Sequence, residues 1–204
     1  MKPIDITMPL RHGMARYPDD PVIEFETVLD VKNGATVNLK RYSFGSHSGS
    51  HVDAPYHFFP DGKKADELPV DYFIGTAKVF AFKNDIREED LAALDIQPDD
   101  IVLFRTPGSS RWNDAEYDPN HVCVMESAAQ RLADIGVRAV GIDCLTIETD
   151  EAYPTHRILL GAGIPIIEGL NFNEAPPGVY RMTAMLMRIK DSDGAPIRAM
   201  LEKQ

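Results

Sequence analysis

The sequence contains very little cysteine, with Cys123 and Cys144 the only two in 204 residues. They do not form a CxxC pair, so neither a disulfide framework nor a thiolate zinc site is predicted. Cys144 follows Asp143 at the predicted end of a strand, where a nucleophile would be well placed, but no separate histidine partner is evident for it. We therefore expect both thiols to be reduced and buried.

Positive charge is also scarce, since the sequence has 21 Lys and Arg residues against 32 Asp and Glu residues and a net charge of −11. Nucleic acids and anionic membranes are bound by clustered positive charge, so neither is an expected partner. A small-molecule substrate fits this composition better. The global charge does not exclude an anionic substrate, because metal ions can reverse the field inside a pocket.

Long apolar runs are missing as well. No stretch approaches the roughly 20 apolar residues that a membrane span requires, and the opening MKPIDIT lacks the apolar core of a signal peptide. We expect a cytoplasmic protein on these grounds. Low-complexity tracts, repeats and composition breaks are absent too, so a single domain over residues 1–204 is predicted.

Strand and helix patterns alternate along the chain. The predicted strands are a hairpin region over 21–44, the apolar runs 77–82, 101–104, 137–142 and 164–168, and two runs within 180–200 around an Asp-Ser-Asp-Gly turn at 191–194. The predicted helices are 87–94, 125–135 with Gly136 as the stop, and 157–163. This order predicts an α/β fold with a mixed sheet.

Histidine is concentrated in one short segment, HSGSHVDAPYH, which runs from His47 to His57. The density of Ser, Gly, His and Pro over 46–62 predicts irregular backbone. Imidazole and carboxylate are ligands that suit zinc, manganese or iron. His51 and Asp53 would share one face of an extended segment, whereas His47 converges with them only if Ser48-Gly49-Ser50 turns. The segment predicts a metal site, against the alternative of a solvated polar loop.

The same segment resembles the signature HxGTHxDxPxH of the cyclase family of metal-dependent hydrolases, which includes bacterial kynurenine formamidase and isatin hydrolase. The chain departs from it only at Ser50, which keeps the hydroxyl of the usual threonine. Supporting resemblance extends to 5–10, 62–75, 141–143 and the block from His156 to Leu170. The resemblance implies an α/β fold with a mixed sheet and a swivelling β/β/α-type core, and assembly as a homodimer or homotetramer.

The resemblance also implies roles for individual residues. His47, His51 and Asp53 would bind metal, Glu168 would complete or bridge a centre of one or two ions, and His57 matches the catalytic acid/base. His156 matches a later histidine that binds metal or works beside it, and the division of roles between His57 and His156 stays open. The ion implied is divalent, with Zn²⁺ the first candidate and Mn²⁺ the second.

The function implied is hydrolysis of an amide-type C–N bond, as in an arylformamide such as N-formylkynurenine, by metal-activated water. An isatin-like lactam or lactone hydrolase or cyclase of the same family is the alternative, and a non-catalytic metal-binding or ligand-binding protein is the alternative outside enzymes. Substrate-binding residues are not identified, although five aromatic residues near the signature are candidates for lining a pocket: Phe44, Tyr56, Phe58, Phe59 and Tyr72.

Several other polar residues are given ordinary structural roles. The acidic residues Glu148, Asp150 and Glu151 lack the spacing of a calcium loop and are interpreted as a solvated face. His12 and His121 are treated as structural, although His12 could reach the pocket. Trp112 is interpreted as a lid element or a subunit contact, between which the sequence does not decide.

Overall fold

The computed structural model describes residues 2–112 and 116–203, which form an α/β fold. The strands are β1 (Ile4–Asp5), β2 (Glu24–Leu29), β3 (Leu39–Ser43), β4 (His51–Asp53), β5 (Ile74–Ala81), β6 (Ile101–Arg105), β7 (Ala139–Ile142), β8 (Ile166–Glu168), β9 (Gly178–Leu186) and β10 (Gly194–Lys203). The α-helices are α1 (Glu88–Leu91), α2 (Glu126–Ile135) and α3 (Pro154–Gly161). Short 3₁₀ helices cover Val31–Asn33, Pro55–His57, Ala65–Glu67, Val70–Phe73 and Pro107–Ser110.

The main sheet is mixed and closes on itself. Its order is β1-β10-β4-β8-β7-β6-β5-β9, and β9 also pairs with β10. The ladder from β5 through β6 and β7 to β8 is parallel, whereas β4, β9 and β10 pair antiparallel with their neighbours. Closure gives the sheet a barrel-like shape, which confirms the predicted mixed α/β architecture and leaves little free strand edge.

The central parallel strands are buried on both faces. On β6, Ile101 and Leu103 belong to the apolar cluster on one side of the sheet, and Val102 and Phe104 belong to the cluster on the other side. A strand covered on both faces needs apolar residues in succession rather than in alternation. This is why the run at 101–104 predicted a strand correctly.

Helix α2 covers one face of the sheet with Ala128, Ala129 and Leu132, all fully buried. It ends at Gly136, which adopts φ 78° and accepts the left-handed conformation common at helix C-termini. The predicted helix and its stop are therefore confirmed. Among the described residues, no helix is long and apolar enough to cross a membrane.

Both predicted hairpins are present. β2 and β3 pair antiparallel in a separate two-stranded sheet, and β9 pairs with β10 from Ile197↔Leu186 to Lys203↔Tyr180. The helix predicted over 87–94 is shorter, covering only Glu88–Leu91, and the one predicted over 157–163 begins earlier, at Pro154.

The prediction of irregular backbone over 46–62 is wrong at its centre. His51–Asp53 forms β4, which lies inside the main sheet between β8 and β10. Pairing on both sides satisfies the backbone groups of these residues, so tertiary context overrides their weak local preference for a strand. This pairing fixes the direction in which the side chains of His51 and Asp53 point.

Candidate metal centre

Strand β4 places His51 and Asp53 on one face and Val52 on the other, where Val52 joins the apolar core. His51 lies opposite Glu168 of β8 in the antiparallel register. The three polar residues are 1%, 1% and 3% exposed. Two neighbouring strands therefore bring an imidazole and two carboxylates together inside the protein.

The turn at Ser48-Gly49-Ser50 returns His47 to the same place. Gly49 adopts φ +65°, and a Cβ there would lie 2.8 Å from Leu10 Cδ2, so both the backbone angle and the space favour glycine. Nδ1 of His47 lies 2.7 Å from Oδ1 of Asp53. The structure thus contains the turn on which the predicted convergence of His47 and His51 depends.

His156 reaches the cluster from the first turn of α3. Its Nε2 lies 3.5 Å from Oδ2 of Asp53 and 3.4 Å from Oε1 of Glu168. Its Nδ1 is 2.7 Å from Oε1 of Glu148, which fixes the ring so that Nε2 faces the two carboxylates. This arrangement of a carboxylate behind a histidine is usual at metal sites.

The residues fit a divalent cation. His51 donates through Nδ1 to the backbone oxygen of Gly49 at 3.0 Å. Its Nε2 is fully buried and has no hydrogen-bond partner among the described residues, 3.3 Å from Asp53 Oδ1 and 3.4 Å from Glu168 Oε2. An unpaired buried nitrogen facing two carboxylates is costly unless something lies between them.

Among the described residues the donor atoms form three groups, each with its atoms within 4.8 Å of one another. Two of them make up the floor of the site, one of His47, His51 and Asp53 and one of Asp53, His156 and Glu168, and the third, of His47, His57 and Asp193, lies at the rim. Asp53 belongs to both groups of the floor. The set is therefore suited to one ion or to two ions that share a carboxylate, and it supports a divalent metal cofactor.

The charges of the cluster are strongly coupled. Burial by itself would lower the pKa of the His51 imidazole, but the adjacent Asp53 and Glu168 raise it to about 9. The pKa of the Asp53 carboxyl lies well below its usual range despite burial, because His47, His156 and His51 surround it. The raised pKa of the imidazole and the lowered pKa of the carboxyl place protons between these side chains, where a bound cation would replace them.

His57 lies at the rim of the cluster, on the 3₁₀ helix Pro55–His57. Its ring centroid is 4.0 Å from that of His47 and 6.4 Å from that of His156. Its Nδ1 is 3.3 Å from Oδ2 of Asp193. The side chain is 31% exposed, so His57 faces the solvent side of the site while the other predicted site residues form its floor.

A cavity of about 470 Å³ opens over this floor. Phe58 stacks on His156 with ring centroids 5.1 Å apart, and Tyr17 and Tyr153 meet through their hydroxyl oxygens at 3.3 Å. The lining residues are Tyr17, Pro18, Asp19, Asp20, His47, Asp53, His57, Phe58, Leu145, Thr146, Tyr153, His156 and Glu168. The size lies in the range of small-ligand sites, and one wall is aromatic.

Of the five aromatic residues predicted as possible lining, only Phe58 lines this cavity. Phe44 packs instead beside Trp112, and Phe59 and Tyr72 pack against the two main apolar clusters. Tyr56 is exposed.

Two polar residues of the site are missed by the sequence reasoning. The prediction that Glu148 is solvated is wrong, because the residue is only 3% exposed. It accepts hydrogen bonds from Thr155 and His156 at the start of α3. The sequence pattern places Asp193 only in the turn at 191–194. Its carboxylate binds His47 and His57. The spacing of eight residues between Glu148 and His156 carries no signal, and Asp193 is brought in by strand pairing alone.

The remaining candidates lie in the surrounding structure. Cys144 is 4% exposed, and burial raises the pKa of its thiol, which makes it a poor nucleophile and confirms the structural interpretation. His12 accepts a hydrogen bond from the backbone nitrogen of Phe25 and does not line the cavity. Trp112 is 8% exposed and donates to the backbone oxygen of Leu170, so it is a packed core residue rather than a lid.

The fold and the site together define a class of protein, an α/β metalloenzyme with a His and carboxylate centre beneath a substrate-sized cavity. The family model described as "Putative cyclase" matches residues 4–149. The kynurenine formamidase of Salinibacter ruber is 34% identical to this chain, and the alignment covers 97% of this chain and 96% of the relative.

Solved structures show the same similarity. A predicted metal-dependent hydrolase from Bacillus stearothermophilus superimposes with a TM-score of 0.85 at 35% identity, covering 98% of this chain and 97% of the other. Isatin hydrolase A from Ralstonia solanacearum shares the fold, with a TM-score of 0.87 at 21% identity, covering 100% and 92%. The chain belongs to the putative cyclase family, and it is a metal-dependent amide hydrolase of that family.

Proposed function

We propose that this chain hydrolyses the C–N bond of an arylformamide, such as N-formylkynurenine, to release formate and an aryl amine. The observation that carries the proposal is the unpaired, buried Nε2 of His51 facing Asp53 and Glu168 at the floor of a cavity with an aromatic wall. The kynurenine formamidases among the relatives support the substrate class.

The proposed ligands are His47, His51, Asp53, His156 and Glu168, which hold one or two ions. Zn²⁺ is the first candidate and Mn²⁺ the second, because imidazole nitrogen mixed with carboxylate oxygen suits both. When bound, such a cation supplies Lewis acidity that polarises a carbonyl and lowers the pKa of water toward neutrality.

The protein's own residues bind and orient the substrate. Phe58 and Tyr153 offer flat surfaces to an aryl ring beside the centre, and their burial of that ring excludes water from the reacting amide. His57 stands at the rim with a ring nitrogen free of the floor carboxylates, where it can carry a proton to the leaving nitrogen. Imidazole suits this step because its ordinary pKa is close to neutral.

The first test is the metal content of untagged protein by elemental analysis, beside the variants His51→Ala and His12→Ala. We expect stoichiometric zinc or manganese that is retained in His12→Ala, since His12 lies outside the cavity, and is lost in His51→Ala. A wild-type protein that binds neither ion even after reconstitution would contradict the proposed centre.

A substrate panel then tests the reaction. We expect the metal-loaded protein to hydrolyse N-formylkynurenine and formanilide, and to do so faster than it opens isatin or an aryl lactone. Preferential opening of isatin or the lactone would reassign the chain to the alternative lactam or lactone reaction. No turnover of any member, with full metal loading, would favour a non-catalytic binding protein.

A further inference from the structure

Asp193 is the last residue before β10, and strand pairing holds it beside the signature segment. Gly194 pairs with Asp53 across the β10–β4 ladder. The backbone oxygen of Asp193 accepts a hydrogen bond from the nitrogen of Ala54 at 2.9 Å. The backbone of Asp193 is therefore held against the signature segment by the strand pairing of the next residue and by its own carbonyl oxygen.

One oxygen of this carboxylate serves two histidines. Oδ2 of Asp193 lies 2.8 Å from Nε2 of His47 and 3.3 Å from Nδ1 of His57. An ionised carboxylate only accepts hydrogen bonds, so each ring nitrogen that faces it must carry the proton. Nδ1 of His47 faces a second carboxylate, 2.7 Å from Oδ1 of Asp53, so both nitrogens of that ring face an acceptor in this structure. A cation bound by Asp53 would take the place of the proton on Nδ1 of His47, whereas the proton that faces Asp193 would stay on Nε2. In His57 only Nδ1 faces a carboxylate among the described contacts, so Nε2 is the nitrogen directed away from Asp193.

We propose that Asp193 is a positioning residue that sets the tautomers of His47 and His57 with a single carboxylate. The inference rests on the proposed function. With the proton held on Nε2, His47 presents Nδ1 to the centre as a ligand, and with the proton held on Nδ1, His57 presents Nε2 as the site that accepts and returns a proton. Carboxylates behind metal-binding histidines have this orienting effect, and their removal costs about 10- to 100-fold in metal affinity or activity.

The packing around His47 agrees with this role. A Cβ at Gly194 would lie 2.7 Å from Cε1 of His47, so the ring of His47 packs directly on the first residue of β10, next to Asp193. The side chain of Asp193 is 38% exposed, while that of His47 is 18% exposed. The carboxylate thus lies on the solvent side of the His47 imidazole.

The decisive measurement is the tautomer of His57 in the zinc-loaded wild-type protein, read from ¹⁵N shifts of the ring nitrogens under conditions where His57 is neutral. The resonances are assigned by comparison with His57→Gln. We expect the proton on Nδ1. A proton on Nε2 in the wild-type protein would overturn the proposal without any variant of Asp193 having to fold.

Three variants test whether Asp193 supports catalysis and zinc binding. Asp193→Asn replaces one acceptor oxygen with a donor, Asp193→Glu keeps a carboxylate on a longer arm, and Asp191→Asn is the matched control in the same turn. Asp191 pairs with the half-buried Lys64, away from the histidines. We expect Asp193→Asn to lower kcat and zinc affinity by about 10- to 100-fold each with little change in KM, Asp193→Glu to recover part of both, and Asp191→Asn to match wild type.

Equal kcat, zinc affinity and His57 tautomer in Asp193→Asn and Asp191→Asn would overturn the proposal. The proposed function fails separately: a wild-type protein that hydrolyses no arylformamide contradicts it, while the ¹⁵N shifts and the zinc affinities still decide the role of Asp193.

Discussion

Oε1 of Glu148 accepts two hydrogen bonds from His156, one from the backbone nitrogen at 2.8 Å and one from Nδ1 of the ring at 2.7 Å. Oε2 of the same carboxylate accepts from the backbone nitrogen of Thr155 at 2.9 Å. Glu148 thus caps the first turn of α3 and orients the histidine that this turn carries. Helix formation and the geometry of the centre are linked through one side chain.

Glu148→Gln is expected to lower metal affinity by about 10- to 100-fold, because the neutral amide no longer holds His156 in one orientation. It should also reduce the free energy of unfolding by about 1–3 kcal/mol, since buried donors lose a charged acceptor. Competition with a chromophoric chelator measures the first effect and denaturant titration the second. The control is Glu151→Gln on the neighbouring exposed residue; equal affinities in the two variants would exclude the orienting role.

How far the sequence predicts this centre depends on how each residue reaches it. His47, His51 and Asp53 lie within one short segment, so the density of ligand types and their spacing suffice to indicate a metal site. Glu148 comes from an acidic run that looks solvated, and Asp193 from an Asp-Gly turn whose composition is already explained by the hairpin. Both depend on tertiary docking, which local patterns do not encode.

The strands, too, divide into those that the sequence predicts and those that it does not. The apolar runs that became β6 and β7 are identified by composition, because burial on both faces demands it. β4 is not, since Ser, His and Asp around it are poor strand formers, and only pairing with β8 and β10 makes it a strand. The site lies where local preference and global pairing disagree, as is common for functional segments.

His57→Gln should separate proton transfer from metal binding. We expect the variant to keep its metal content, because His57 is at the rim and makes no contact with Asp53 or Glu168 among the described contacts. Its kcat for an arylformamide should fall by about 10²- to 10⁴-fold, the usual contribution of a general acid or base. Elemental analysis measures the metal content and steady-state kinetics measure kcat on the same preparation, with His12→Gln as the control. Loss of metal in His57→Gln would instead assign His57 as a ligand.

Gly194→Ala is expected to disturb the centre by steric contact alone. The added Cβ would lie 2.7 Å from Cε1 of His47 and 2.8 Å from the backbone oxygen of Val52. Val52 belongs to β4, which is paired on both sides and has little freedom to move. We expect a loss of about 1–3 kcal/mol of stability, typical of overpacking, together with weaker zinc binding.

Gly34→Ala provides the comparison for that variant. Gly34 has φ +90° in the turn of the separate β2–β3 hairpin, and a Cβ added there would have no atom within 4 Å. Alanine there should cost stability through backbone strain, about 1–2 kcal/mol, without changing zinc affinity. If both variants bound zinc as tightly as wild type, the contact between Gly194 and His47 would not matter for the site.

Lys78 gives a prediction about pH that is independent of the centre. Its ammonium is buried on β5, 2.9 Å from Oδ2 of buried Asp100 and 3.1 Å from Oδ2 of exposed Asp95. Burial alone would lower the pKa of Lys78, but the two carboxylates raise it above its usual value of 10.5. A raised pKa in the folded protein means that the ion pair contributes its full stability below pH 10.5 and loses it as the pH rises through the higher folded value.

Lys78→Met should therefore be less stable than wild type by about 3 kcal/mol at neutral pH, because it leaves Asp100 buried without its partner. Thermal unfolding of both proteins from pH 7 to about pH 12 measures the difference in Tm, in which the other titrating groups cancel. We expect the difference in Tm between the two proteins to be constant up to about pH 10.5 and to become smaller above that pH. Lys63→Met, on an exposed lysine without an ion pair among the described residues, should show no difference at any pH. A gap that stayed constant through the alkaline range would mean that packing of the lysine stem, and not its charge, stabilises β5.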